Sequence, residues 1–247
     1  MIDILRSEWT KIRSVRSTVW TLAVTVALMA GMSALITAAT KNNPGGPPTG
    51  EDAVMMGLTG ILFAQLAMAT LGVLVISSEY RTGGIRTSLM AVPRRMSLLT
   101  GKIVIFTATS LVVSAVAAAA AIGVGLAISQ PPSIEMGEVA RAALASTLYL
   151  TACGLFGLGL GTLIRHTPGA LVTAIALMMV LPTVANQLPG EWGRTVAEYF
   201  TTNAGLLVVS GPQQGGSLGP WSGFGVYLAW VAVAMIAGAA LMQRRDA

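Results

Sequence analysis

The chain has 247 residues, of which 54% are hydrophobic and only 10% charged, with a mean hydropathy of +0.73 and a formal net charge of +5. A soluble domain carries about 25% charge, so a soluble globule is excluded and most of the chain belongs within a bilayer. A single cysteine, Cys153, excludes an internal disulfide framework and any Cys-rich metal site, and the basic residues lie between apolar runs rather than in a nucleic-acid-binding patch.

From the N-terminus, Ile2, Leu5, Trp9, Ile12, Val15 and Val19 recur at three- and four-residue spacing, with Asp3, Arg6 and Arg13 opposite. This predicts an amphipathic helix lying on the inner membrane surface, with Glu8 at the edge of its apolar stripe. Uncharged runs then predict six spanning helices near 19–40, 54–77, 103–129, 142–164, 168–187 and 221–241, within a single domain covering 1–247. Gly211, Pro212, Gly215, Gly216, Gly219 and Pro220 separate the last span from what precedes it.

Two connections carry patterns of their own. In the loop after the second span, Thr82 is placed to N-cap a short helix reaching about Ala91, and Pro93 to begin an extension of the third span. Ile85, Leu89 and Val92 are spaced four and three apart, giving an apolar face flanked by arginines that suits docking to a soluble partner. Between the fifth and sixth spans, Trp192, Val196, Tyr199 and Phe200 form one apolar face, and Gly211-Pro212 ends a second apolar piece, 204–209.

Basic residues orient the chain. Arg6, Lys11, Arg13, Arg16, Arg81, Arg86, Arg94, Arg95, Lys102, Arg165, Arg244 and Arg245 fall on the side of both termini, against Lys41, Arg141 and Arg194 on the other. Both termini are therefore expected in the cytoplasm. The first apolar run is longer than the ~7–15-residue core of a cleaved signal.

No ionisable side chain falls deep within a predicted span, which disfavours an ion-coupled transporter. Gln65 is the one strongly polar side chain deep in a span, and it serves either helix packing or substrate contact. Gly101-Lys102 is not a phosphate loop, because Met96 and Ile103 stand where glycine and Ser/Thr are required. His166, the sole histidine, has no carboxylate or cysteine near it in sequence, so hydrolytic and metal-dependent catalysis lack their residue sets. Catalytic, cofactor and metal residues are accordingly expected to be absent. Thirteen methionines, Met29 and Met178 among them, are either lipid-facing filler or a pliable path for apolar substrates. Gly157 and Gly161 form a small-xxx-small pair for close helix packing.

The segment Ser78-Glu79-Tyr80-Arg81-Thr82-Gly83-Gly84-Ile85-Arg86, followed by Pro93-Arg94 and Gly101-Lys102, resembles the loop after the second span of ABC-2 type exporter permeases. The opening Ser7-Glu8-Trp9-Thr10-Lys11-Ile12-Arg13-Ser14 is similar to the start of many such permeases in high-GC Gram-positive bacteria. The resemblance covers essentially the whole chain and implies an all-α, six-span integral membrane fold in a bacterial cytoplasmic membrane. It adds a cytoplasmic coupling helix and re-entrant outer helices before the last span. It implies a permease that pairs with a second permease subunit and docks a separate ABC ATPase carrying ATP and Mg, with no cofactor on this chain itself. Glu79, Tyr80, Arg81, Thr82, Gly83, Ile85, Arg86 and Leu89 become the expected coupling residues. Trp192, Tyr199 and Phe200 become an expected outer gate, and Met29, Gln65 and Met178 a substrate path. The expected cargo is amphipathic or hydrophobic, an antibiotic, a peptide or a lipid-linked compound, as in multidrug or antibiotic resistance. The rival reading is a non-transporting membrane scaffold or sensor that binds a cytoplasmic regulator.

Overall fold

In hydrocarbon, apolar runs of this length satisfy their backbone groups as helices. The computed structural model, which describes residues 2–40, 48–82, 95–212 and 215–244, contains helices and no strand among them. Six helices are long and apolar enough to cross a membrane: Thr18–Thr40, Gly50–Tyr80, Met96–Ser129, Met136–Ile164, Thr167–Ala185 and Pro220–Gln243. With six spans, the two termini share one end of the bundle, here termed the terminal side.

Helix α1 (Ile2–Ser14) leads into α2 (Arg16–Thr40), the first span. The second span begins earlier than its apolar run, because Thr49 and Asp52 form a capping box at α3 (Gly50–Gly57). A short 3-10 turn, Leu58–Gly60, joins α3 to α4 (Ile61–Thr82). The third span, α5 (Arg95–Ser129), starts eight residues before the predicted 103. Its first turns are held because Leu98 and Leu99 pack with Met242. At 1.5 Å per residue this 35-residue helix is about 50 Å long and extends beyond a ~30 Å hydrocarbon core.

The fourth span, α6 (Met136–Ile164), is the axis of the bundle: 72% of its most apolar window is buried, against 22–33% for the first, third, fifth and sixth spans. It reaches this position by backbone contact with α4. A Cβ on Gly72 would stand 2.0 Å from the Gly154 carbonyl oxygen, and one on Gly157 would stand 2.0 Å from that of Ala69. Small residues permit such a crossing, in which van der Waals contact replaces the hydrophobic drive that lipid cannot supply.

The fifth span is interrupted. It runs as α7 (Thr167–Ile175), a π-helical turn (Ala176–Val180) and α8 (Leu181–Ala185). The Leu181 N–H reaches back to Ala176, and Pro182 has no N–H to offer the carbonyls of Leu177 or Met178. Both are satisfied from outside the span. Two short helices follow, α9 (Gly190–Tyr199) and α10 (Thr201–Ser210), before the last span, α11 (Pro220–Arg244). At the start of α10, the Thr201 hydroxyl donates to the Leu177 carbonyl at 2.6 Å and the Thr202 hydroxyl to that of Met178 at 2.8 Å. Asn203 Nδ2 adds bonds to the Ala197 carbonyl and Asn186 Oδ1, both at 3.0 Å. The proline break and the Thr-Thr-Asn triplet are thus complementary halves of one joint.

Replacing both threonines with valine keeps their shape and strands two carbonyls. At ~0.6–1.7 kcal/mol per interhelical hydrogen bond, Thr201→Val with Thr202→Val is expected to lower the unfolding temperature in detergent. Loosening should be confined to the far end, seen as faster hydrogen exchange in 176–210 than in α6.

Candidate functional site

At the terminal side, where α4 runs into the 83–94 loop, four charges close into a ring. Lys102 Nζ on α5 lies 2.5 Å from Glu8 Oε2 on α1 and 2.9 Å from Glu79 Oε1 on α4. Lys11 Nζ, also on α1, lies 2.7 Å from Glu8 Oε1 and 2.9 Å from Glu79 Oε1. Signs alternate around the ring, so each ammonium bridges two carboxylates and the net charge is zero. Lys102 and Glu8 are each 2% exposed and Glu79 is 9% exposed. Burial of that kind demands pairing, which both ammoniums supply at Glu79 Oε1, while Glu79 Oε2 is buried without a hydrogen-bond partner among the described residues. Lys11 closes the ring on its solvent side.

The ring gives α1 a packed side. Ile12 and Glu8 are buried, while Trp9 is 51% exposed and Val15 is exposed too. Glu8, Lys11 and Ile12 share the face turned to the protein, where Ile4 fits against Gly101 on α5. Glu8 marks the packed side because its counter-charge, Lys102, lies on another helix.

Glu79 is one of three residues at the end of α4 that reach in different directions. Ser77 Oγ accepts from the Thr167 hydroxyl at 2.9 Å, binding the start of the fifth span. Tyr80 lies under Arg165, whose guanidinium carbon is 5.0 Å from the ring centroid. Arg165 itself ends α6 in the left-handed region at φ 58°, and its Nη2 donates to the Leu241 carbonyl in the last turn of α11 at 3.1 Å. Through these contacts the base of the 83–94 loop is tied to α1 and to the third, fourth, fifth and sixth spans. Glu79 and Tyr80, predicted as coupling residues, point into the bundle; Arg81 and Thr82 complete α4, so Thr82 ends a helix. Gly83, Ile85, Arg86 and Leu89, with the helix expected through Ala91, lie outside the described residues.

The other predicted positions are also located. Met29, Gln65 and Met178 are buried within the bundle, and Gln65 Oε1 accepts from the Tyr149 hydroxyl. On the far side, Trp192 and Tyr199 are exposed, and Phe200 packs against Trp230 with ring centroids 5.5 Å apart. An apolar cavity of about 290 Å³ opens there between α10 and the second span, lined by Met55, Leu58, Ile61, Leu62, Leu206 and Val209 with Thr59, Asn203 and Ser210. His166 caps α7, its Nδ1 accepting from the Gly169 N–H at 3.2 Å. Among the described residues no three His, Cys, Asp or Glu side chains are grouped to hold a metal.

A family model described as ABC-2 family transporter protein matches residues 4–186, a stretch that contains most of α1, the first five spans and all four charges of the ring. No curated protein matches the chain.

Removing one partner of a buried ion pair costs on the order of 3–5 kcal/mol, because the other charge stays buried. Lys102→Met is therefore expected to destabilise the protein by about that amount, while Lys102→Met with Glu8→Met recovers part of it; thermal unfolding in detergent reads both. Burial opposes the charge on Lys11, but its bonds to Glu8 and Glu79 outweigh this and hold its pKa above the ordinary 10.5. The stabilising contribution of Lys11 is then fully present below pH 10.5 and is lost as pH rises through the higher folded-state value. A Lys11→Met variant should thus show a flatter alkaline stability profile than the native chain.

Proposed function

The chain belongs to the ABC-2 family of transporter proteins, and on that footing we propose that it is the permease subunit of an ATP-driven exporter that moves an amphipathic or hydrophobic compound out of the cytoplasm. The terminal side faces the cytoplasm of a bacterial plasma membrane, in accord with the positive-inside excess of basic residues there. A separate ABC ATPase, carrying ATP and Mg, docks on the 83–94 loop through Thr82, Gly83, Ile85, Arg86 and Leu89. A second permease subunit completes the transporter.

The observation that carries this reading is the anchoring of the loop's base by Ser77, Glu79 and Tyr80. Closure of two ATPase subunits around nucleotide displaces whatever is docked on them, and the displacement does work on the bundle only if the loop is rigidly joined to it. Glu79 and Tyr80 act as that joint, and Ile85 and Leu89 as the contact. Each state of the bundle is then favoured by its own set of partner contacts, as a population shift requires. On the far side, α9 and α10 act as re-entrant outer helices, with Trp192, Tyr199 and Phe200 at the gate. The neighbouring cavity has apolar walls and neutral polar groups, Thr59, Asn203 and Ser210, which suits an uncharged amphipathic cargo better than an ion.

Affinity purification of the tagged chain in mild detergent tests the assignment. A nucleotide-binding subunit is expected near one-to-one, with vanadate-sensitive ATP hydrolysis. Placing two carboxylates on the docking face, Ile85→Glu with Leu89→Glu, buries charge against the partner and should cut recovery of that subunit at least about tenfold while membrane insertion is unchanged. Recovery of the native chain alone, without hydrolysis, would transfer the assignment to a membrane scaffold or sensor.

A further inference from the structure

Beneath α10 lies a buried cluster that the transport reading leaves unused. Gly205, midway along α10, rests on two tyrosines: a Cβ there would lie 2.8 Å from Cδ1 of Tyr227 and 2.9 Å from Cε2 of Tyr149. Any larger residue must therefore lift the helix or push the rings apart. Both tyrosines are 0% exposed, and their ring centroids are 5.7 Å apart at a tilt of 37°. A buried phenol needs a hydrogen-bond partner. The Tyr149 hydroxyl donates to Gln65 Oε1 on α4, and the Tyr227 hydroxyl donates to Cys153 Sγ on α6 at 3.3 Å. Side chains of the second, fourth and sixth spans thus converge under one glycine of the far-side helix. Cys153, the single cysteine of the chain, is also 0% exposed and is sealed from the far side by this arrangement.

We propose that Tyr149 and Tyr227 are positioning residues for transport: their rings are the seat of α10, and their bonds to Gln65 and Cys153 hold that seat closed. The Cys153 thiol then becomes accessible when α10 lifts. The proposal rests on the transport reading, since it requires a far end that opens and closes. Two features make the seat separable rather than permanent. A thiol sulfur is a weak acceptor, so the Tyr227 bond is the weakest in the cluster, and no charge must be uncovered when the cluster parts. The seat also adjoins the joint at Thr201 and Thr202, which carries α10 on the interrupted fifth span. Movement at the π-helical turn therefore passes directly to the helix that covers the tyrosines.

The native cysteine supplies the test, with no label introduced. Alkylation of Cys153 by membrane-permeant N-ethylmaleimide is followed by mass spectrometry on the full chain in lipid nanodiscs, with Cys153→Ser as the blank. The native chain should react slowly. Tyr227→Phe keeps the ring and removes the hydroxyl bond to sulfur, and should raise the rate about fivefold, the ratio that loss of one modest hydrogen bond allows. Gly205→Ala wedges the seat and should raise it further; if that variant fails to insert, Tyr227→Phe alone decides. Equal rates in native and variant chains overturn the seat. In the complex with its ATPase subunit, the native rate should change several-fold between the nucleotide-free and the ATP–vanadate-trapped states. An unchanged rate in a complex that hydrolyses ATP overturns the proposal. A chain that recovers no ATPase subunit instead counts against the transport reading, and the nucleotide-free comparison of native and variant chains still decides whether the seat exists.

Discussion

The terminal half of the molecule depends on the pairing of Lys102 with Glu8 and Glu79. An ammonium that is 2% exposed has lost its water and needs carboxylates against it. The two that serve it come from the N-terminal helix and from the end of the second span. This one requirement orders three separate pieces of chain: α1 must turn its Glu8 face inward, α4 must continue past its apolar run to Glu79, and α5 must begin early enough to present Lys102 beside them. Ser77 and Tyr80 extend the same tie to the remaining spans. The short stretch from Ser77 to Tyr80 therefore determines how rigidly the following loop is joined to the bundle.

The two ends of the bundle are held by interactions of different strength. Disrupting the buried ring costs on the order of 3–5 kcal/mol, whereas each hydroxyl–carbonyl bond at the far-side joint is worth ~0.6–1.7 kcal/mol. The far side is also where the helix is already interrupted, at Pro182, and where α10 meets the fifth span through neutral hydroxyls. A displacement applied at the terminal side is thus received by a stiff body and can be expressed where the bonds are weak. That gradient of stiffness follows from placing the buried charge of the described residues at one end.

The spans were legible because bilayer thickness imposes a minimum apolar length, and each of the six predicted runs is a helix in the structure. Their ends were less so. Thr49 and Asp52 carry the capping signature that starts the second span early, and it lies outside the apolar run used to find it. The close contact at Gly157 was readable from small-residue spacing, although its partner, Ala69, was not. For α1, periodicity places Glu8 only at the edge of an apolar stripe, and does not show that Glu8 is buried against the bundle. What decides the packed face is Lys102, 94 residues later, and no local pattern contains it. The coupling residues show the same limit: Glu79 and Tyr80 were singled out by resemblance, while their inward direction comes from tertiary pairing. Pro182 and Thr201-Thr202-Asn203 could have been matched as a donor-deficient turn and a surplus of donors, but composition alone does not join positions that far apart.

The order in which the four charges leave the ribosome has a consequence for how the protein is made. Glu8 and Lys11 emerge first, and they must wait for Glu79 and then Lys102 before α1 can take its final position. Seating of α1 therefore reports that the third span has arrived with its lysine at the correct depth. A chain arrested before that point leaves Glu8 without its buried lysine and α1 unseated.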